Sequence, residues 1–194
     1  MADISRLRRF VADMTDHAGQ YHGDEQAMVA GSKLLLADLV ENDDWLPDQY
    51  AIEGDTYRQY LLHCDPQQRF SVVSFVWGPG QTTPVHDHTV WGLIGMRRGS
   101  ETGQRFEIGV DGSLAPCENE RLEQGDIDIV SPTIGDIHKV SNAHDDKTSI
   151  SIHVYGANIG ALERHVYDPA SGAQKSFISG YSNTTVPNLW DFSG

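Results

Sequence analysis

Positive charge is scarce in this sequence. Lysine and arginine number 14 against 28 aspartates and glutamates, for a net charge of −14 at pH 7. Nucleic acids and anionic membranes are bound through clustered cations, so neither is an expected partner. The same field repels anionic substrates, so a site for an acid must carry its own positive charge. Cysteine is scarcer still, with only Cys64 and Cys117 and no CxxC pair. Two are too few for a disulfide framework. Two free thiols in a reducing cytoplasm is the simpler expectation, with a single bridge as the other reading. No apolar run approaches the ~20 residues of a membrane span. The opening residues, Met-Ala-Asp-Ile-Ser-Arg-Leu-Arg-Arg-Phe, lead into polar and acidic residues rather than an apolar secretory segment. Repeats and low-complexity segments are absent, and no feature speaks to oligomeric state. What is present is 194 residues with 39% hydrophobic content, enough for one domain with a real core.

The texture changes along the chain. Residues 1–48 read as helical, with Ile4, Leu7, Val11 and Met14 recurring at helical spacing and Asp3 or Ser5 as cap. After a loop around Gly19 to Gly23, Asp24 is placed to cap a second helix whose apolar face carries Met28, Leu35, Leu36 and Leu39. These helices are expected to cover one face of a sheet. Residues 50–170 hold short β-rich runs separated by Gly, Pro, Asn and Asp: 57–64, 70–77, 90–97, 104–108, 126–130, 137–140, 149–155 and 164–167. Asp111-Gly112 is a hairpin signal. Runs of this length and spacing predict a mainly β fold, a small barrel or jelly roll, behind an N-terminal helical segment. The tail, 171–194, carries Val186, Leu189, Trp190 and Phe192 and is expected to pack back onto the barrel.

Chemistry concentrates first in His86-Asp87-His88. In a strand, alternate residues project to one face, so both imidazoles would point into one space suited to a metal. Gly80 precedes the pair and Gly99 follows it; later comes Pro132…Gly135-Asp-Ile-His138-Lys-Val-Ser-Asn142. The pattern G-x5-H-x-H…G, then P-x2-G-x2-H-x3-N, resembles the two signature motifs of the cupin superfamily, whose histidines converge on one metal inside a small β-barrel. The alternative is three unrelated histidines on polar surfaces. Ordinary cupins add a Glu four residues after the second His, and here that position is Gly92. The resemblance therefore implies a site of three neutral imidazoles, a set that suits iron, zinc, copper or nickel. Without the carboxylate, Fe(II) there would keep its full charge for an anionic ligand such as a thiolate.

A second constellation is Ser151-Ile152-His153-Val154-Tyr155. In a strand Ser, His and Tyr share a face and could hydrogen-bond in sequence; the bland alternative is a half-exposed strand with a polar side. Beside a three-histidine cupin site this row resembles the thiol dioxygenase family, which includes cysteine dioxygenase and bacterial relatives that oxidise 3-mercaptopropionate. The resemblance implies that His86, His88 and His138 hold non-haem Fe(II), with Ser151, His153 and Tyr155 as the catalytic row beside it. Animal-type cysteine dioxygenases bind substrate through an Arg two residues after a Tyr. The segment Tyr57-Arg58-Gln59 puts Gln59 in that place, and Arg58, one residue off, would face the other way. Those enzymes also cross-link a Cys near the Gly92 position to the catalytic Tyr, and neither Cys64 nor Cys117 matches it. The 3-mercaptopropionate type, with Gln early and an Arg on a later strand, is closer, and Arg164 fits that Arg. A guanidinium grips a carboxylate through parallel hydrogen bonds; the alternative for Arg164 is a surface ion pair with Glu163 or Asp168. Arg58, Arg97, Arg98 and Arg105 are read as surface or structural.

The resemblance thus implies an Fe(II)-dependent dioxygenase in the cytoplasm. It would take a small thiol carboxylate and O2 as its partners and give a sulfinic acid, 3-mercaptopropionate being the favoured substrate. L-cysteine is the alternative substrate. A non-catalytic metal-binding cupin and a zinc isomerase or hydrolase are the alternative classes. His17, His22, His63, His144 and His165 fall into no pattern.

Overall fold

The computed structural model describes residues 2–110 and 112–191. Helices α1 (Ile4–Tyr21) and α2 (Glu25–Val40) open the chain. Asp3 accepts the Ser5 backbone N–H at 3.2 Å and Asp24 accepts that of Ala27 at 3.0 Å, so each helix begins at an aspartate that satisfies an otherwise unpaired amide. Short 3₁₀ turns occupy Asp48–Tyr50 and Ile159–Ala161.

The strands are β1 (Arg58–Cys64), β2 (Ser71–Trp77), β3 (Val85–His86), β4 (Gly92–Arg98), β5 (Glu101–Ile108), β6 (Leu114–Leu122), β7 (Ile127–Val130), β8 (His138–Asn142), β9 (Ser149–Tyr155), β10 (Arg164–Tyr167) and β11 (Gln174–Phe177). They form two antiparallel sheets, a five-stranded one in the order β1-β2-β9-β4-β7 and a six-stranded one in the order β11-β10-β3-β8-β5-β6. This is a jelly-roll barrel.

Two apolar cores divide the molecule. One joins the helices to the outer face of the five-stranded sheet, through Leu7, Phe10, Met14, Leu36 and Leu39 against Val72, Leu93, Ile150, Ile152 and Val154. Each such side chain contributes about 1.5–3 kcal/mol by leaving water. Helix α2 lies so close that a Cβ on Gly95 would sit 3.0 Å from both Leu36 Cγ and Val40 Cγ1. The second core, with Val73, Phe75, Trp77, Val140 and Tyr155, fills the space between the sheets. Strands β2 and β9 are buried along their whole length because one face meets the helices and the other the barrel interior.

Several expectations are corrected. For β9 the alternative of a half-exposed strand is excluded, since it is buried along its whole length. Strands β3, β6 and β11 had no hydrophobic signature: β3 has two residues, while β6 and β11 are edge strands facing solvent, and an edge tolerates Pro116. Strand β11 joins the barrel sheet, so the stretch after residue 170 is not simply a tail. Of its apolar residues Leu189 is buried, whereas Val186 and Trp190 are exposed. Asp111 and Phe192 lie outside the described residues, although β5 and β6 do pair as a hairpin.

Candidate active site

Strand pairing alone brings the distant motifs together. His86 on β3 stands opposite His138 on β8, and His88 follows two residues after His86. The three rings are 4.8–4.9 Å apart by their centroids, and one ligand atom from each lies within 4.8 Å of the others. That is close to the span one ion with bonds of ~2.1 Å to nitrogen can bridge. The hydrogen bonds orient the rings for this task. His86 Nδ1 lies 3.0 Å from the Pro84 carbonyl, which can only accept, so Nδ1 carries the proton and Nε2 keeps its lone pair. His88 Nδ1 lies 2.9 Å from the Asp136 carboxylate, and His88 Nε2 is buried with no hydrogen-bond partner. An unpartnered, lone-pair-bearing nitrogen facing two others is what a divalent transition metal fits. Burial, with its neighbour His88, depresses His86 to a pKa of about 3, and burial likewise holds His138 well below the usual histidine range. Both are neutral at neutral pH, the state a metal requires.

Asp136 escaped the sequence reading, though it lies inside the second motif. Its carboxylate accepts His88 N–H at 3.0 Å, Thr89 N–H at 2.8 Å and the His88 ring. Burial alone would raise its pKa; the hydrogen bonds from His88 and Thr89 outweigh that and hold it below the usual carboxylate range. No pattern in the sequence says that this side chain crosses to His88. Asp87, between the two histidines, turns the other way and binds His165 N–H at 2.7 Å, His165 Nδ1 at 2.9 Å and the Tyr167 hydroxyl at 2.8 Å. His165 is therefore tied to Asp87, and His144 to the Ser100 hydroxyl at 2.9 Å, so neither joins the cluster.

The row on β9 is continuous. Ser151 Oγ lies 2.8 Å from His153 Nε2, and His153 Nδ1 lies 2.8 Å from the Tyr155 hydroxyl. Tyr155 stacks on His88 with centroids 5.4 Å apart, which sets the phenol beside the histidine cluster. Burial raises the Tyr155 pKa, against the pull of nearby Arg164, so it is a neutral phenol. Gly92, paired with Tyr155 across β4 and β9, explains the missing cupin carboxylate. A Cβ there would lie 2.8 Å from Tyr155 Cδ1 and 3.0 Å from Val130 Cγ2, so with Tyr155 in this position a side chain such as Glu or Cys would have to push the ring aside. Both cysteines are free and sit apart, on β1 and β6.

A cavity of about 230 Å³ opens onto the cluster, with His86, His138, Tyr155, Tyr57, Gln59 and Arg164 among its walls. Phe75, Trp77, Val140, Val166 and Phe177 make the rest largely apolar. Arg164 is 4% exposed, donates to Ser179 Oγ at 2.7 Å and packs on the Phe177 ring at 4.7 Å. It makes no ion pair with Glu163, Asp168 or any other described residue, and its Nε is buried without a partner. Burial lowers its pKa, which means that the cation is held there at a cost. Gln59 lines the cavity with its amide donating to the Gly180 carbonyl, whereas Arg58 packs against Gly54 and lies off the cavity. Arg97 and Arg98 pair with Asp43, and Arg105 with Asp128. Trp91 and Met96 are buried away from the cavity.

Residues 33–166 match the family described as cysteine dioxygenase type I. The chain belongs to that family. The matched stretch contains both histidine motifs, the β9 row and Arg164. Membership makes it a dioxygenase of the cupin type, with a small-molecule substrate and O2 as its reactants. Among solved structures, a conserved protein with a double-stranded beta-helix domain from Klebsiella pneumoniae is 20% identical over 58% of this chain and 84% of its own, with a TM-score of 0.47. A cupin superfamily protein from Desulfitobacterium hafniense is 13% identical over 60% of this chain and 94% of its own, with a TM-score of 0.44. A cupin 2 domain-containing protein from Halorhodospira halophila is 14% identical over 62% and 76%, with a TM-score of 0.47. Among the described residues no helix is long and apolar enough to cross a membrane.

Proposed function

We propose that the protein is an Fe(II)-dependent thiol dioxygenase that converts 3-mercaptopropionate to its sulfinic acid. The observation that supports the substrate assignment is Arg164, a buried cation without a carboxylate partner among the described residues, on the wall of a small cavity shared with His86 and His138 of the histidine cluster. A substrate carboxylate supplies the missing partner, and the guanidinium holds it through charge-assisted hydrogen bonds. No Asp or Glu lines the cavity among the described residues, so the ammonium of L-cysteine would enter without a counter-ion, a costly arrangement. Iron held by His86, His88 and His138 would supply the redox chemistry between thiol and O2. The overall change is balanced, since both oxygen atoms end on sulfur and sulfur supplies the electrons. The chain's own residues position and protect. Arg164 fixes the carboxylate end of the substrate. Tyr155 holds a proton on its hydroxyl beside the cluster, backed by His153 and Ser151. The apolar walls exclude water, which strengthens each of these contacts.

The test is oxygen uptake by iron-loaded protein with 3-mercaptopropionate and L-cysteine in parallel. A much higher kcat/KM with 3-mercaptopropionate is expected. A preference for cysteine would overturn the substrate assignment, and no uptake with either thiol despite bound iron would overturn the dioxygenase reading. His138→Ala should lose its iron; retention would sink the ligand assignment.

A further inference from the structure

The β9 row does not end at Ser151. Beyond it lies Glu101, the first residue of β5, with 0% of its surface exposed. Opposite it in the neighbouring strands stand Asn142 and Leu122, neither of them charged. The Ser151 hydroxyl and the Trp77 indole are the polar groups beside its carboxyl, yet neither carboxyl oxygen has a hydrogen-bond partner among the described residues. Among the described residues no cation pairs with it. Arg121 and His144, on adjoining segments, are both bonded to the Ser100 hydroxyl. A carboxyl in such surroundings is retained at a cost, and it meets the site through Ser151 and through Trp77, which also lines the cavity.

Hydrogen-bond direction makes this contact consequential. The indole N–H of Trp77 can only donate, and it does so to Ser151 Oγ at 3.3 Å. One further acceptance and one donation remain for that hydroxyl. If it donates to His153 Nε2, then His153 carries its proton on Nδ1 and donates to the Tyr155 oxygen. If instead it accepts from His153 Nε2–H, the Tyr155 O–H is consumed in bonding to Nδ1. The two arrangements differ in whether the phenol proton is available to the cavity.

We propose that Glu101 is a positioning residue of this site: as the neutral acid it donates to Ser151 Oγ, turns the Ser151 proton toward His153 Nε2, and so leaves the Tyr155 O–H free to donate into the cavity. Its bearing on turnover rests on the function proposed above; its effect on His153 does not. Burial pushes the Glu101 pKa up to about 8, with the Ser151 and Trp77 contacts opposing, so the neutral acid prevails at neutral pH. The other titratable groups along the row are His153, which burial keeps neutral, and Tyr155, whose phenol burial keeps protonated. Above pH 8, loss of the Glu101 proton reverses the row.

The direct test is ¹⁵N NMR of the full chain labelled at histidine and loaded with zinc, which is diamagnetic, from pH 6 to 9. The His153 resonances report which ring nitrogen carries the proton. The wild-type chain should show the Nδ1–H form at pH 6–7 and shift to Nε2–H as the pH passes about 8. Glu101→Gln, whose amide donates but does not titrate, should keep the Nδ1–H form throughout. An Nε2–H form at pH 6–7, a wild-type tautomer that never changes, or a change that persists in Glu101→Gln would each overturn the proposal. The wild-type titration decides even if the variant fails to fold. In the iron-loaded protein kcat should fall severalfold above pH 8, with KM nearly unchanged, and the fall should be absent in Glu101→Gln. If no thiol is oxidised at all, the proposed function fails while the tautomer measurement still answers for Glu101.

Discussion

Replacing Arg164 by methionine should damage function and stabilise the protein at once. The variant keeps an unbranched stem against the Phe177 ring and removes a cation that is 4% exposed and paired with no carboxylate. In the free protein that cation is desolvated for one hydrogen bond to Ser179 at 2.7 Å, so its removal relieves a penalty. The melting temperature of Arg164→Met should therefore stay level or rise. With substrate bound the account reverses, because a carboxylate brought into a dry cavity would find no partner. Breaking such a buried pair costs about 3–5 kcal/mol. At 1.4 kcal/mol per tenfold, kcat/KM for 3-mercaptopropionate should fall by about two to three and a half powers of ten. Arg164→Lys keeps the charge and loses the fork, and should fall in between. A thiol alcohol of similar size is the control, since it has no carboxylate and should be turned over equally by wild type and variant. Steady-state oxygen uptake and calorimetry measure all of this. A lowered melting temperature together with an unchanged kcat/KM would refute the reasoning, as would an equal loss with the thiol alcohol.

Two further outcomes follow from the geometry. Asp136→Asn removes the charge that fixes the His88 tautomer and should weaken metal binding about 10–100-fold, read by competition with a chelator; unchanged affinity would mean that the Asp136–His88 contact at 2.9 Å does not matter to the site. The metal-free protein should lose stability in acid. His86, His138 and His153 are depressed by burial, so the unfolded chain binds protons more readily, and their contribution, complete above pH ~6.5, is lost as the pH falls toward the depressed values. Glu101 acts in the opposite sense, its stabilisation being lost as the pH rises from ~4.5 to about 8. Three groups outweigh one, and a net loss on the order of a few kcal/mol between pH 7 and 5 is expected from denaturant titrations. A flat profile would contradict the burial of these rings.

Much of this protein was written in local patterns. Alternation of period two on β9 put Ser151, His153 and Tyr155 on one face, and the spacing of His86 and His88 marked them as a pair, because side-chain direction in a strand depends only on parity. Helix caps at Asp3 and Asp24 were legible for the same local reason. Strands β6 and β11 were not, since exposed edges need no apolar pattern. Nor did the sequence disclose what depends on neighbours from other strands. The burial of Arg164 without an ion-pair partner among the described residues, the reach of Asp136 to His88, the Gly92 backbone pressed against Tyr155 and the lone carboxyl of Glu101 behind Ser151 all arise where strands remote in the chain meet. The sequence by itself determined which side chains a strand offers to the barrel interior. Only the tertiary structure decided which of them are stripped of water and left facing one another, because desolvation belongs to the packed assembly and to no single segment.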